Sequence, residues 1–223
     1  MADGVKTTRD GTPSRRYDGS RRRAQTMATR ARVIECAKRL FVEQGYPATT
    51  IDSIAAAADV PLPTLYRLFG SKRGVLKSVL DAAFGGDDEP VAFVDRPQVR
   101  DALAERDAGA LLDRFARIAG EFMARSAALQ HVLATAAVVD AEAAELLEDI
   151  RRQRHVGQSR IVAAIVARDA LDASLSRTDA EDTVYALLSP DLHRVLTVER
   201  GWSRERYETW LAQSLKSLLL ADR

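Results

Sequence analysis

Residues 49–81 read TTIDSIAAAADVPLPTLYRLFGSKRGVLKSVLD, and this stretch decides the fold. Thr50 offers the side-chain oxygen of a helix N-cap. Ile51, Ile54, Ala55 and Ala58 follow at three-to-four spacing, which predicts a short amphipathic helix. Asp59-Val60-Pro61 interrupts the pattern. LPTLYRLF resumes it with Leu65, Leu68 and Phe69 inward, and Gly70 ends it. Ser71 then caps a further helix that opens KRGVLKSVLDAAF. Two helices joined by so short a turn form a helix-turn-helix, the arrangement that lays one helix in a DNA major groove about 12 Å wide.

Upstream, Val33, Ile34, Ala37, Leu40 and Phe41 predict another amphipathic helix, with Gly45 where a left-handed C-cap belongs. Residues 1–25 hold almost no large aliphatic side chains, so residues 1–27 are expected to be a flexible basic arm. Downstream, the Gly-Gly-Asp-Asp-Glu-Pro run at 85–90 reads as a linker. Beyond it lie helical stripes: Leu111, Leu112, Phe115, Ile118, Phe122 and Met123; Leu129, Val132, Leu133 and Ala136; and Leu146, Leu147, Ile150, Ile161 and Ile165. Thr178 with Glu181 reads as a capping box, Ser189-Pro190 opens another helix, and Ser203 precedes a last one. No useful strand pattern appears, so the expected fold class is all-α.

Charge divides as the helices do. Residues 1–80 carry 15 Lys/Arg against 7 Asp/Glu, and residues 81–223 carry 18 against 25, within a net charge of only +1. A basic head on an acidic body is the footprint of a nucleic-acid module joined to a second function. The 46% apolar content of 223 residues excludes a disordered chain. No apolar run reaches the roughly 18 residues of a membrane span, and the N-terminus lacks a signal-peptide core, so a cytoplasmic protein without membrane contact is expected. One cysteine, Cys36, excludes an internal disulfide. His131, His155 and His193 are scattered, and no nucleophile, phosphate-loop or paired-carboxylate signature stands out. No metal, no cofactor and no enzymatic activity are expected.

The run of residues 49–81, with the helix before it, resembles the tetracycline-repressor (TetR) family over about residues 28–84: a Thr-led helix, an Ala-rich turn, a Thr-Leu-Tyr recognition helix, a Phe, and a Ser-Lys start to the fourth helix. The resemblance implies a three-helix DNA-binding head over 28–88, its helix-turn-helix at about 50–69. It also implies a larger helical-bundle body over 89–223 for dimerisation and ligand binding. The expected function is that of a repressor: a homodimer on double-stranded DNA at a palindromic operator, released by a small-molecule effector. Two departures stand out. Asp59 occupies a turn position where the family often has Gly, and tolerates a left-handed backbone less freely. Pro61 replaces a Ser-type cap and offers no acceptor. These departures keep open a helical interaction protein that has lost operator binding.

On a helix beginning near Leu62, positions 62, 63, 66 and 67 lie opposite Leu65, Leu68 and Phe69. Leu62 and Pro63 are read as thymine-methyl contacts, with an apolar contact inside the head as the alternative for Leu62. Arg67 would read a guanine or clamp a phosphate, and Thr64 and Tyr66 would hold the backbone. Lys72, Thr49 and Thr50, at the starts of their helices, suit phosphates. Arg21, Arg22 and Arg23 would enter a minor groove or neutralise phosphates. In the body, Phe115, Phe122, Met123, His131 and Tyr185 are candidates for the effector pocket, each with plain core as its alternative. Trp202, Tyr207 and Trp210 would anchor the dimer, and the resemblance maps its paired helices loosely to 178–198 and 204–220.

Overall fold

The computed structural model describes residues 15–85 and 95–221. Helix α1 (Arg15–Ala48) is broken at Gly45, whose φ of 78° and ψ of 167° end the regular run. α2 (Ile51–Ala57), α3 (Leu62–Phe69) and α4 (Lys72–Gly85) complete the head. The body comprises α5 (Pro97–Leu103), α6 (Ala108–Ala136), α7 (Ala141–Val166), α8 (Arg177–Leu187), α9 (Pro190–Arg194) and α10 (Arg204–Leu219). A wider π turn at Val195–Glu199 continues α9. Among the described residues there is no strand, only an isolated bridge between Leu171 and Leu220. Among the described residues no helix is long and apolar enough to cross a membrane.

Two sequence expectations change. The flexible arm expected over 1–27 is helical from Arg15, and its first fourteen residues lie outside the described ones. Arg21–Arg23, Ala24, Gln25, Met27 and Ala28 are good helix formers, and the hydroxyls of Thr26 and Thr29 donate to the carbonyls of Arg22 and Gln25 one turn back. A polar composition argues against a packed core but not against an extension grown on an existing helix, which avoids the cost of nucleation. The capping box expected from Thr178 and Glu181 is replaced by a simple N-cap two residues earlier: Ser176 accepts from the Asp179 amide at 3.1 Å. The helix start expected at Ser189-Pro190 is found there, with Ser189 as the N-cap of Pro190–Arg194, so the stretch 178–198 to which the resemblance loosely maps one paired helix is two segments. The linker expected from Gly85 to Pro90 and the head–body boundary at 88/89 fall at or beyond the end of α4, outside the described residues after Gly85.

Two apolar cores organise the chain. One gathers Phe41, Ile54, Leu65, Leu76 and Leu80 of the head with Leu129, Leu133, Ala136 and Ala143 from the end of α6 and the start of α7. The other joins Leu111, Leu112 and Phe115 of α6 to Ile161 and Ile165 of α7, Val184 of α8, and Tyr207, Leu211 and Leu215 of α10. The sequence boundary near residue 88 is therefore not a boundary of packing. α6, about 43 Å long at 1.5 Å per residue, is buried in the body at its first half and in the head at its second.

Candidate functional site

The turn between α2 and α3 explains how the head is set. Thr50 and Ser53 form a reciprocal cap: the Ser53 amide donates to the Thr50 hydroxyl oxygen at 3.0 Å, and the Thr50 amide to the Ser53 oxygen at 3.1 Å. Asp59 takes φ of +50°, the left-handed conformation that the turn requires and that Gly would adopt more easily. Pro61 leads into α3 with no side-chain cap, and Pro63 falls where its missing N–H costs little. Gly70, at φ 76°, ends α3, and Ser71 caps α4 by accepting from the Gly74 amide at 3.1 Å.

Leu65 and Phe69 are buried and Leu68 half-buried, so the opposite face of α3 carries Pro63, Tyr66 and Arg67 into solvent. Thr64 is half-buried beside them and Thr50 is exposed at the start of α2. Arg21, Arg22 and Arg23 are exposed along the first turns of α1.

Three residues expected on the DNA side are placed otherwise. Thr49 is fully buried, its hydroxyl held by the Gly45 carbonyl at 2.8 Å, so it braces the α1–α2 corner instead of facing a phosphate. Leu62 is half-buried and packs against the head core, the in-head contact that was its alternative. Lys72 folds back: its ammonium donates to the Tyr46 carbonyl at 2.9 Å and lies 4.1 Å from the Tyr46 ring centroid. Burial pushes the Lys72 ammonium below its usual range, partly opposed by Asp140. In each case hydrophobic or hydrogen-bond demand from a neighbouring element, invisible in local spacing, claims the side chain.

Sequence reasoning missed Arg30, which fixes α3 to α1 and α4. Its guanidinium donates to the Leu68 carbonyl at 3.1 Å and to the Ser78 hydroxyl at 2.8 Å, and lies 4.7 Å from the Phe69 ring centroid. It also missed Gly74. A Cβ there would stand 1.9 Å from the Phe69 carbonyl oxygen, so only glycine lets α4 start so close to the end of α3.

A third missed feature ties the head to the body. The buried Tyr46 donates its hydroxyl to the Asp140 carboxylate at 2.8 Å, and Asp140 in turn caps α7 by accepting from the Ala143 amide at 3.1 Å. Arg73 of α4 pairs with Glu142 at 3.0 Å beside them. The Tyr46 hydrogen bond and the α7 amides hold the Asp140 carboxyl below its usual range, while burial and Asp140 push the Tyr46 phenol well above its own.

Of the five effector-pocket candidates, Tyr185 lines a cleft at the body's edge. That cleft, about 450 Å³, lies where α6, α7 and the α8–α9 corner meet, between Gln130, Leu147, Ile150, Arg154, Tyr185 and Pro190. Phe115 and Met123 are buried core, Phe122 stacks on Phe84 at 5.3 Å, and His131 is exposed. They lie on other faces of the long α6, whose stripes face two cores at once. Tyr207, expected at a dimer interface, is fully buried with its ring edge-on to His193 at 4.7 Å. Trp202 and Trp210 are half-buried and meet edge to face at 5.8 Å, lining a shallow groove on α10. The described residues hold no group of three or more His, Cys, Asp or Glu that could bind a metal ion.

The head is thus a helix-turn-helix with an exposed basic and aromatic face. Residues 33–79 match the model of the bacterial regulatory proteins of the tetR family. The chain is 30% identical over 175 residues to the HTH-type transcriptional regulator TcmR of Streptomyces glaucescens, covering 76% of this chain and 73% of that one. It is 33% identical over 95 residues to the HTH-type transcriptional repressor ComR of Escherichia coli K12, a match spanning 41% of each chain. The structure of a SmeT–triclosan complex shares the fold, with a TM-score of 0.69 at 15% identity over 87% of this chain and 93% of that one. The chain belongs to the TetR family of bacterial regulatory proteins.

Proposed function

We propose that the protein is a transcriptional repressor that binds a palindromic operator as a homodimer and leaves it when a small molecule occupies the body cleft. The observation that carries the DNA-binding part is the solvent-facing side of α3, where Pro63, Tyr66 and Arg67 stand together on a helix held at both ends by Asp59 and Gly70. Arg67 supplies the hydrogen-bonding reader, Pro63 an apolar contact for a thymine methyl, and Thr50, Thr64 and Tyr66 backbone contacts. The arginines of early α1 add non-specific attraction. The repressor sign follows the name of the ComR relative. Operator binding places the protein in the cytoplasm, and the groove of Trp202 and Trp210 with the half-exposed Leu218 supplies an apolar face for a second copy.

Release follows from α7. Its N-terminus is fastened to the head through Asp140 and Glu142, and Leu147, Ile150 and Arg154 of the same helix line the cleft. Arg154 is about 21 Å along the helix from Asp140. A ligand that moves α7 as a rigid rod therefore pulls on Tyr46 and Arg73, changes the spacing of the two α3 helices, and shifts operator affinity by a coupling of order 1–3 kcal/mol. A gel shift with the DNA upstream of the protein's own reading frame tests this. A salt-sensitive complex that requires both arms of an inverted repeat is expected; binding indifferent to sequence would refute it and favour an interaction protein.

A further inference from the structure

The cleft between α6, α7 and the α8–α9 corner is unevenly furnished. Ala134, Leu147, Ile150, Pro190 and the Tyr185 ring make an apolar, partly aromatic lining. Arg154 lies over the Tyr185 ring, its guanidinium carbon 3.7 Å from the centroid. The other cationic side chain at the rim, Arg151, has Glu148 at 3.8 Å. Arg154 has no carboxylate within 4 Å and no hydrogen bond among the described residues, and its Nε is buried without a partner. One turn further along α7 the buried amide oxygen of Gln158 is also unpartnered. A buried donor left unpaired costs free energy comparable to a lost hydrogen bond, and more for a charged group. A guanidinium held flat on an aromatic ring keeps its hydrogen-bonding edge free for a planar anion.

We infer that the cleft takes an aromatic or otherwise apolar small molecule bearing one acidic group, with Arg154 as the anchor of that anion and Tyr185, Leu147 and Ile150 as the seat of its apolar body. This rests on the reading of the cleft as the effector site and adds the chemistry of the effector. Asp191 at the rim sets the orientation: its carboxylate repels an anion from the α9 side, so the acidic group is directed towards α7. Gln130 also lines the cleft, and because its side-chain nitrogen is engaged by the Ser126 hydroxyl at 3.0 Å, the group it has left for the ligand body is an acceptor, its amide oxygen.

Two dyes that share one ring system test the inference by fluorescence titration on the full chain: 8-anilinonaphthalene-1-sulfonate, which carries a sulfonate, and N-phenyl-1-naphthylamine, which does not. Arg154→Met retains an apolar stem over Tyr185, and circular dichroism checks that it folds. The expected result is saturable binding of both dyes to the wild-type protein, abolished by Ala134→Trp, with Arg154→Met weakening the sulfonate dye by about tenfold or more and the neutral dye by less than about twofold. Equal sensitivity of the two dyes to Arg154→Met, or none, would overturn the acidic-ligand inference and leave the cleft reading intact. Binding of either dye unaffected by Ala134→Trp would overturn both. Arg154→Lys should restore part of the preference for the sulfonate dye.

Discussion

Gly74→Ala sets two physical effects against each other. Gly74 lies in the first turn of α4, where an alanine would ordinarily stabilise a helix by up to about 1 kcal/mol through lower unfolded-state entropy and better propensity. In this fold its Cβ would fall 1.9 Å from the Phe69 carbonyl oxygen, where such contacts essentially never come under 3.0 Å, and that oxygen belongs to backbone. Relief requires α3 and α4 to separate by more than about 1 Å, which strains the Arg30 bridge between Leu68 and Ser78. Overpacking costs of about 1–3 kcal/mol are usual for extra methylenes in a tight core, and a clash with backbone lies at the upper end of that range. The net destabilisation is then about 2 kcal/mol, a fall in Tm of roughly 4–8 °C for a chain of this size. Because the moved element is the recognition helix, operator affinity should fall along with stability. Thermal denaturation followed by circular dichroism, with operator titration at 20 °C, measures both. A Tm at or above that of the wild type would refute the close approach of α4 to α3.

Arg30→Ala should cost about 1.5–3 kcal/mol of stability, since it removes charge-assisted hydrogen bonds to Leu68 and Ser78, and denaturant titration reads the loss directly. Tyr46→Phe should loosen the head from α7, costing about 0.5–1.5 kcal/mol because the half-exposed Asp140 regains water. Its pH dependence has a defined sign. The lowered Asp140 carboxyl contributes stability that is present above the unfolded carboxylate value of about 3.9 and is lost as pH falls through the native value. The raised Tyr46 phenol contributes stability that is present below about pH 10 and is lost above it. The stability difference between wild type and Tyr46→Phe should therefore be widest between about pH 4 and 10 and narrow on either side, as urea unfolding across pH would show. Replacing Arg21, Arg22 and Arg23 together by Ala should reduce the slope of log affinity against log salt by up to about 2.7. An unchanged slope would mean that early α1 does not touch DNA.

Much of the head was legible because its signals are local. Thr50, Gly45, Gly70 and Ser71 mark helix ends through their own backbone or side-chain chemistry, and the spacing of Ile54, Leu65 and Phe69 gives the buried faces. Even the left-handed turn at Asp59 could be read from its sequence position. Residues whose roles depend on how the chain folds around them were not legible: Thr49 turns inward because the break at Gly45 brings the end of α1 over it, Lys72 reaches the Tyr46 carbonyl 26 positions back, and Arg30 reaches 38 and 48 positions along the chain. The cleft was harder still. Phe115 and Met123 have the composition of pocket residues, but the long α6 buries them in core, whereas Gln130, Ile150 and Arg154 carry no signal beyond an ordinary helix face. Arg154 becomes notable only when its guanidinium is found without an acid. Its sequence neighbours Arg151 and Arg152 both have Glu148 within 4.0 Å.

The exposed face of α3 as the reader of DNA is tested most directly by in vitro selection from a random duplex pool, carried out in parallel with the wild-type protein and with Arg67→Ala. The expected result is an inverted repeat with half-sites about 34 Å, or one helical turn, apart, and for Arg67→Ala the loss of preference at one symmetric pair of positions with the rest of the repeat retained. Each such contact corresponds to about 1–3 kcal/mol of discrimination. No enriched repeat, or the same preference from both proteins at every position, would contradict the assignment.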